Sequence, residues 1–445
     1  KTLIKIVIYL GVRYLRNKRR WKVRVFRLFL SIFLLSTVVT ITSCGASGQD
    51  ESSSTARESA VSADDEGQFV DNPGMIPSSA GLEFSTDFSR TIISFETIMS
   101  GGPPKDGIPS IDSPEFVSLE AADEWIGDKE AVLVLRLQGR VRVYPLQILM
   151  WHEIVNDSVD GVPVAVTYCP LCNTGIAFRS RIDGRDLDFG TTGRLRYSNL
   201  IMYDRQSETW WQQASGRGLI GEYAGRRLEM LPVALLPWNE VKATYGQSSG
   251  DVATSDGGSR LDPEMVQDKS VEVKVLSKNT GYSRPYGQNP YQGYDSNETP
   301  FLYAGPEISD EYEQMERVLA VRVEEDELAF AYADLQEEKV LEREVGGREV
   351  VVFWEAGTAS ALDAGKLSGG RDVGTAQAFY PVAQNEASER MQLSFYWDGD
   401  NFRDEETGSI WTISGRATAG PLKGARLESP VTINHFWFSW SAFTQ

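Results

Sequence analysis

Histidine and cysteine, the residue types that bind transition metals or carry thiol chemistry, are rare in this chain. The sequence has two histidines, His152 and His435, and three cysteines. Two of the cysteines, Cys169 and Cys172, have the Cys-x2-Cys spacing with which one turn supplies two thiolate ligands. Thiolate and imidazole ligands together suit zinc and copper. We therefore predict a transition-metal site, for copper or zinc, formed by Cys169, Cys172, His152 and His435.

The N-terminal segment, residues 1–44, has the composition of a bacterial lipoprotein signal peptide. It contains ten Lys and Arg and no acidic residue. It ends in an uncharged run from Leu28 to Ser43, which is short for a membrane-spanning helix. Residues 41–45, Ile-Thr-Ser-Cys-Gly, resemble the lipobox, whose cysteine becomes lipid-modified. We predict an exported protein anchored by a lipid on Cys44, at the periplasmic face or the cell surface; a signal anchor is the alternative.

The rest of the chain is strongly acidic. The whole sequence has 44 basic and 63 acidic residues and a formal charge of −19. Without the ten basic residues of the N-terminal segment, 34 basic residues stand against 63 acidic ones, which gives −29. Such a chain should repel nucleic acid and anionic membrane surfaces. Residues 45–80 are predicted to be a flexible acidic, Ser-rich tether, and residues 81–128 an extended N-terminal segment.

The cysteine pair and the histidines allow other interpretations. In an exported protein the two cysteines can form a disulfide. Cys-Pro-Leu-Cys also resembles the redox motif of glutaredoxin-like proteins, in which a helix N-terminus lowers the pKa of the first thiol. Here residues 176–179 read as a strand, so that helix is not predicted. His152, beside Trp151, and His435, beside Phe436, can instead be hydrogen-bonded core residues.

Two stretches of the chain repeat one frame. Residues 215–229 and 414–428 share the pattern S-G-R-x3-G-x3-G-x-R-L-E without a gap. Just upstream, residues 204–211 and 404–411 both begin with Asp and end with Trp. Identical glycine spacing implies identical turns. The pattern predicts a tandem duplication.

The duplication predicts the domain organisation. We expect a first β repeat at residues 129–245, a loop and aromatic connector at 246–315, and a second β repeat at 316–445. Period-2 alternation with Asp-Gly and Gly-Gly turn pairs indicates antiparallel hairpins, and the clearest helix lies at Pro145 to Asn156. The predicted fold is mainly β with a few short helices, a β-rich α+β class. Its two units should pack with pseudo-twofold or repeat symmetry.

The candidate ligands are divided between the two repeats. In the repeat alignment Cys169 falls on Glu355, so the thiol pair belongs to the first copy. His435 falls on Leu236, so that histidine belongs to the second copy. This reciprocal pattern predicts one site at the seam of two related halves, which His152 of the first copy would join.

Several motifs together resemble one known family. They are D-G-I-P-S-I-D from Asp106, W-H-E-I-V-N-D from Trp151, Y-C-P-L-C from Tyr168 and the closing H-F-W-F-S-W from His435. These pieces are similar to the domain of unknown function 3179 family over residues 106–445. The resemblance implies that domain in an extracytoplasmic setting, and it implies no activity.

The sequence predicts no defined reaction. The G-x-S-x-G, Walker, Rossmann and H-E-x-x-H patterns are absent from it. Glu153 and Asp157 could pair as acid and base, but in so acidic a chain such groups are usually solvated. The leading hypothesis is a lipid-anchored extracytoplasmic protein that binds one copper or zinc ion. The alternative is a disulfide-stapled, β-rich ligand-binding or adhesion module without catalysis.

Overall fold

The structure, a computed structural model, describes residues 69–246, 271–384 and 390–444. The predicted signal peptide, its lipobox Cys44 and most of the predicted tether lie outside the described residues. Within the described ranges, no helix combines the length and the apolar character that crossing a membrane requires.

The end of the predicted tether, residues 69–80, is bonded to the segment that follows it. Val70 N–H donates to Thr91 O at 2.9 Å, and Phe95 N–H donates to Pro73 O at 2.7 Å. The ordered fold therefore begins before residue 81, where the sequence placed the end of the tether. The partners are some twenty residues away in the chain, beyond the reach of a local composition argument.

The first half of the fold is built mainly from strands. Its helices are α1 (Ala80–Glu83), α2 (Leu119–Asp123), α3 (Leu146–His152) and α4 (Trp238–Tyr245). Its strands are β1 (Ile98–Ser100), β2 (Phe116–Val117), β3 (Ala131–Leu137), β4 (Arg140–Pro145), β5 (Ile154–Val159), β6 (Val162–Cys169), β7 (Thr174–Arg179), β8 (Arg181–Ile182), β9 (Arg185–Asp186), β10 (Phe189–Arg196), β11 (Asn199–Asp204), β12 (Trp210–Gln212), β13 (Arg217–Ile220), β14 (Glu229–Leu231), β15 (Val233–Pro237) and β16 (Val273–Leu276).

The second half has the same character. Its helices are α5 (Tyr332–Glu338) and α6 (Trp437–Thr444). Its strands are β17 (Arg317–Val323), β18 (Asp326–Ala331), β19 (Val340–Val345), β20 (Arg348–Glu355), β21 (Thr375–Phe379), β22 (Val382–Gln384), β23 (Arg390–Gln392), β24 (Phe395–Trp397), β25 (Phe402–Asp404), β26 (Ile410–Trp411), β27 (Ala417–Ala419) and β28 (Val431–Phe436).

Antiparallel sheets organise both halves. In the first half the strand orders are β1-β10-β11-β12-β13, β14-β7-β6-β5 and β15-β3-β4-β16-β2, with β4 and β16 parallel. In the second half they are β18-β17-β28, β19-β20-β21 and β24-β25-β26-β27. The small ribbons β8-β9 and β22-β23 complete the set of described sheets. The prediction of a mainly β fold with short helices is confirmed.

Local sequence accounts for the hairpin that presents the cysteines. The turn between β5 and β6 is Asp160-Gly161, with φ of 48° and 81°, the left-handed pair that a tight hairpin turn requires. Helix α3 ends at His152, short of the predicted end at Asn156, because Ile154 pairs with Thr167 as the first residue of β5. Pairing to β6 therefore outcompetes helical periodicity at this point.

The second half repeats the order of elements found in the first. The series β3-β4-α3-β5-β6-β7 is matched by β17-β18-α5-β19-β20-β21. Both helices end at a residue with positive φ, Glu153 (58°) and Lys339 (64°). The N–H of each bonds the carbonyl four residues earlier, that of Leu149 or Leu335, at 2.8 Å. Whether one symmetry operation superposes the two halves stays a prediction.

Two hairpins each contain a buried aspartate, and the two carboxylates have equivalent hydrogen-bond partners. Asp204 accepts hydrogen bonds from the backbone N–H three residues later at 2.6 Å and from the Trp211 indole at 3.0 Å. Asp404 accepts from the backbone N–H three residues later at 2.6 Å and from the Trp411 indole at 2.9 Å. Both aspartates are fully buried, so these bonds replace water around the charge. The repeated Asp and Trp therefore encode the same turn twice.

The two halves meet along four strands. β28 lies against β7, and β15 lies against β21. Thr174 Oγ1 bonds His435 Nδ1 at 2.8 Å, while Thr375 Oγ1 donates to Leu235 O on the other side. One apolar cluster contains residues from both halves, such as Leu133, Ile176, Ala320, Ile433 and Phe436. The thiol-bearing hairpin is therefore part of a shared core.

Candidate functional site

The thiol pair lies at the end of strand β6. Cys169 is its last residue, and Pro170–Cys172 forms a single 3₁₀ turn whose proline presets the backbone. Asn173 closes the turn with φ of 53°. Both cysteines are buried free thiols, so the structure holds no disulfide between them. One turn therefore presents both sulfurs, as the Cys-x2-Cys spacing predicts.

The two sulfurs share one backbone acceptor. The Cys172 thiol donates to Ser198 O at 3.3 Å, and the Cys169 thiol donates to the same oxygen at 3.9 Å. Burial raises the pKa of Cys169 well above the usual value, and the neighbouring Cys172 adds to the effect. Cys169 is therefore protonated at neutral pH. Protonated thiols are poor nucleophiles.

Glu153 lies close enough to Cys169 for the two groups to interact electrostatically. It follows α3 in the left-handed conformation, and its backbone carbonyl accepts the Tyr168 N–H at 2.8 Å. Burial raises the pKa of its carboxyl to about 8, although a hydrogen bond with Tyr291 acts in the opposite direction. At neutral pH this carboxyl is therefore protonated and is able to donate a hydrogen bond.

The sequence does not predict a role for Glu153. Because the chain is so acidic, Glu153 and Asp157 are expected to be a solvated pair. The partner that closes over Glu153, Tyr291, lies far along the chain in the connector. The signal that could have found it is local: an acidic residue directly after a histidine, where a helix gives way to an apolar strand, faces the core of the hairpin.

A cavity of about 390 Å³ adjoins the Glu153 carboxyl. Leu171, which lies between the two cysteines in the chain, and Leu200 line the cavity. Gly193 also lines it, with φ of 71°, and a Cβ there would lie 1.9 Å from Pro103 O. That close approach requires glycine. Apolar residues form much of the lining, and its polar residues include Glu153 and Arg194, the latter ion-paired with Glu83.

The roof of the cavity is the connector segment (residues 286–302). Its Tyr294 hydroxyl donates to Leu171 O, between the two cysteines, at 2.9 Å. Its Phe301 carbonyl accepts the Ser198 hydroxyl at 2.5 Å. The connector was predicted from sequence as a loop and aromatic stretch. The structure adds that its aromatic residues close a cavity.

Asp295 ties the connector segment to the second half. Its side chain is fully buried and accepts hydrogen bonds from Arg317 at 2.6 Å and Arg371 at 2.8 Å, and a further one from Ser360. Burial opposes its ionisation, but Arg317, Ser360 and Arg371 outweigh that effect and lower its pKa. The roof of a first-half cavity is therefore held by second-half cations.

His152 uses both ring nitrogens in hydrogen bonds. Its Nδ1–H donates to Pro109 O at 2.7 Å, and its Nε2 accepts the Tyr286 hydroxyl at 2.7 Å. Burial lowers its pKa, so the ring is neutral at physiological pH. These contacts hold the start of the connector segment against α3. They are the contacts of a structural histidine.

His435 lies one strand away from the thiols. Its Nδ1 bonds Thr174 Oγ1 at 2.8 Å, and Thr174 is the partner of Cys169 across the β6-β7 pair. Burial, and then the charge of Arg322, lower the pKa of His435 to about 3. His435 of the second half therefore contacts strand β7, which pairs with the strand that ends in Cys169. Its ring is neutral.

The four predicted ligands do not form a ligand group in the described residues. Across 69–246, 271–384 and 390–444, no three His, Cys, Asp or Glu side chains are placed to hold a metal ion. Ligation by His152 would require it to release Pro109 or Tyr286. The four-residue site stays a prediction. What the structure brings together is the thiol pair, Glu153 and the cavity.

Comparison with known proteins places the chain in a family by its sequence. The model of a family described as a protein of unknown function (DUF3179) matches residues 105–445. That range contains the thiol pair, Glu153, both histidines and the connector segment. Neither the curated proteins nor the solved structures gave a match.

Proposed function

The chain belongs to the DUF3179 family, and we propose that this member is an exported, lipid-anchored protein that binds a small, mostly apolar molecule beside Glu153. One observation carries the proposal: a carboxyl that is protonated at neutral pH adjoins a cavity of about 390 Å³. Pockets of this size with apolar walls and few polar groups are typical ligand sites. The basic N-terminal segment and the lipobox-like sequence at Cys44 support the exported, anchored setting.

The chemistry of the walls defines the class of ligand. The neutral Glu153 carboxyl can donate a hydrogen bond to a carbonyl or ether oxygen, whereas a carboxylate ligand would face a second acid. Leu171, Leu200 and Phe301 offer apolar surface to the rest of the molecule. The expected ligand is therefore uncharged and carries one hydrogen-bond acceptor. This reading favours the ligand-binding alternative raised from the sequence, without its disulfide.

A small apolar ketone tests the proposal. Prodan, a naphthalene ketone whose emission reports polarity, should bind the purified full chain saturably with a blue shift. Binding should weaken as the pH rises past the pKa of Glu153, about 8, because the carboxylate no longer donates. Glu153→Gln should remove that pH dependence because its amide still donates. Lys339→Gln, at the equivalent helix end, should leave it unchanged.

Two outcomes would contradict the proposal. One is that prodan shows no saturable binding to the wild-type chain. The other is that Leu200→Trp, which fills the cavity, binds the dye as the wild type does while its circular dichroism spectrum is unchanged. Either result would mean that the cavity beside Glu153 is not a ligand site.

Binding of a soft metal ion is a second candidate, and one specific observation favours it. Both thiols point at the same oxygen, Ser198 O, so the two sulfurs face one place. Cys169 and Cys172 would hold the ion after each lost its proton, and two thiolates suit Cu(I) better than zinc, which takes four ligands. His152 and His435 would join only by leaving their present hydrogen bonds.

Metal analysis distinguishes this candidate from the first. The full chain, loaded anaerobically with Cu(I) and desalted, should retain about one equivalent, and Cys172→Ser should lose it. His152→Gln should have no effect on a two-sulfur site and should abolish a four-residue one. Retention of copper by Cys172→Ser, or none by the wild type, would rule out the thiol pair as its ligands.

A further inference from the structure

The turn between β10 and β11 is strained and buried. Arg196 pairs with Asn199, so the turn consists of Tyr197 and Ser198 alone. Their φ angles are 53° and 67°, a left-handed pair that favours Asn and Gly over tyrosine or serine. Ser198 is fully buried. A turn of this kind persists because its surroundings hold it.

Ser198 joins the thiols to the roof of the cavity. Its carbonyl accepts both thiol hydrogens, from Cys172 at 3.3 Å and from Cys169 at 3.9 Å. Its hydroxyl donates to Phe301 O of the connector segment at 2.5 Å. The thiols and the roof therefore contact opposite sides of one strained residue.

We propose that Cys169 and Cys172 are a reversible disulfide site, and that forming the disulfide loosens the connector segment through Ser198. One 3₁₀ turn presents both sulfurs, and they lie 3.9 and 3.3 Å from the same oxygen, Ser198 O, so little movement is needed to join them. The sulfurs are buried, and exchange proceeds through local opening. The inference is independent of what occupies the cavity.

The step is a thiol–disulfide exchange with a low-molecular-weight disulfide as the oxidant. One cysteine thiolate attacks the small disulfide, forms a mixed disulfide and displaces one small thiolate. The second cysteine thiolate attacks the mixed disulfide, forms the Cys169–Cys172 bond and displaces the other. The two protons of the original thiols end on the two released thiols. The protein loses two electrons, and the small disulfide gains them.

The disulfide changes what Ser198 contacts. It carries no S–H, so the Ser198 carbonyl loses both thiol donors while it remains buried. A buried carbonyl without a donor is unfavourable, and the strained turn loses the contacts that hold it. The shift is passed to the Ser198 hydroxyl and so to Phe301. Strand β20 of the second half is equivalent to β6, but it ends at Glu355 and not at a cysteine. This thiol contact therefore has no counterpart at the end of β20.

Hydrogen exchange followed by mass spectrometry tests the proposal on the full chain. The protein is compared in reduced glutathione and in glutathione disulfide, a linear small disulfide that releases two thiols as the exchange requires. The amides of Asn297 and Phe301, which donate to the carbonyl and the hydroxyl of Tyr294, should make the 297–301 peptide exchange at least about ten-fold faster after oxidation. Amides of β20 should be unchanged. Alkylation with N-ethylmaleimide after denaturation confirms that the disulfide has formed.

Two variants separate the steps. Cys172→Ser keeps a hydroxyl donor toward Ser198 O but cannot form the disulfide, so residues 297–301 should exchange slowly with both reagents. Ser198→Ala keeps the thiols but loses the bond to Phe301, so exchange should be fast with both. The proposal is overturned if the wild type forms no disulfide, or forms it without faster exchange at 297–301.

Discussion

The ends of helices α3 and α5 show how one backbone design carries different chemistry in the two halves. Glu153 and Lys339 both follow a helix in the left-handed conformation. The carbonyl of Glu153 accepts the Tyr168 N–H at 2.8 Å, and that of Lys339 accepts the Trp354 N–H at 2.9 Å. Yet Glu153 is buried under the connector, whereas the Lys339 ammonium lies on the Trp354 ring, 3.9 Å from its centre. The backbone frame is repeated and the chemistry is not.

The strands that follow these helices differ in the same way. β6 ends in the buried Cys169, while β20 ends in Glu355, whose pKa burial raises. The connector segment covers the first-half position, and the second half contributes Arg317 and Arg371 to hold it there. The first half therefore carries the candidate site, and the second half supports it.

The strongest test of the shared frame is the pair of buried aspartates. Asp204→Ala and Asp404→Ala should each lower stability by about 3 kcal/mol, because each leaves a buried indole N–H and backbone N–H without an acceptor. Urea unfolding followed by tryptophan fluorescence measures both. Similar losses would sharpen the comparison. A large loss in one variant alone would show that the two turns are not equivalent.

A second test uses the pH dependence of stability. The folded-state pKa of Glu153, about 8, exceeds the unfolded value of 4.5, so the folded chain holds a proton that the unfolded chain releases. The contribution of this proton to stability is full below about pH 4.5 and is lost as the pH rises to about 8. Glu153→Gln should flatten this part of the stability curve.

Lys339 is the matched control for that test. Burial lowers its pKa from 10.5, so its contribution has the opposite sign and lies at higher pH. Lys339→Gln should leave the decline up to about pH 8 in place. A decline that persists in Glu153→Gln would show that another group causes it, and would remove the distinction between the two helix ends.

A third test compares two glycines of left-handed conformation. Gly193→Ala should cost about 2 kcal/mol or more, because the new Cβ would meet Pro103 O at 1.9 Å. Gly408→Ala should cost about 1 kcal/mol, since its Cβ would enter open space and only the backbone is strained. Glu208, at the matching place of the first half, already has φ of 54°. Equal melting temperatures for the two variants would contradict this account.

The smallest expected effect concerns the lysine of the second helix end. Lys339→Met should lower stability by about 0.5 kcal/mol, because it removes the cation–π contact with Trp354 but keeps an apolar side chain on the ring. Differential scanning calorimetry should resolve at most a small shift. A loss as large as that of the buried aspartates would show that the second-half helix end is more than support.

Local features of the fold could be read from the sequence. The Asp160-Gly161 pair fixed the hairpin turn of β5 and β6, and the repeated Asp and Trp marked two equivalent turns. The spacing of Cys169 and Cys172 predicts that they share one turn, and the structure has them on one 3₁₀ turn. Each of these depends on residues within about a dozen positions, where backbone preference and side-chain hydrogen bonds dominate.

The site itself depends on contacts between distant residues. Glu153 owes its raised pKa to burial, to which the connector contributes through Tyr291, and the thiols owe their common direction to Ser198. Neither partner is close in sequence to the group that it affects. Composition predicts that an acidic residue of this chain is solvated, and the fold reverses that at Glu153, as it does at Asp204, Asp295 and Asp404. Burial by remote segments is what a local pattern does not encode.

The buried ion pairs of Asp295 also set the order in which the site is completed during synthesis. Glu153 and the thiols leave the ribosome first, the connector follows, and Arg317 and Arg371 come later still. Asp295 cannot be neutralised in the core until both arginines are present, because a lone buried carboxylate is costly. The cavity is therefore covered late in synthesis. A nascent chain that stops before Arg371 would leave the apolar residues under the connector segment exposed.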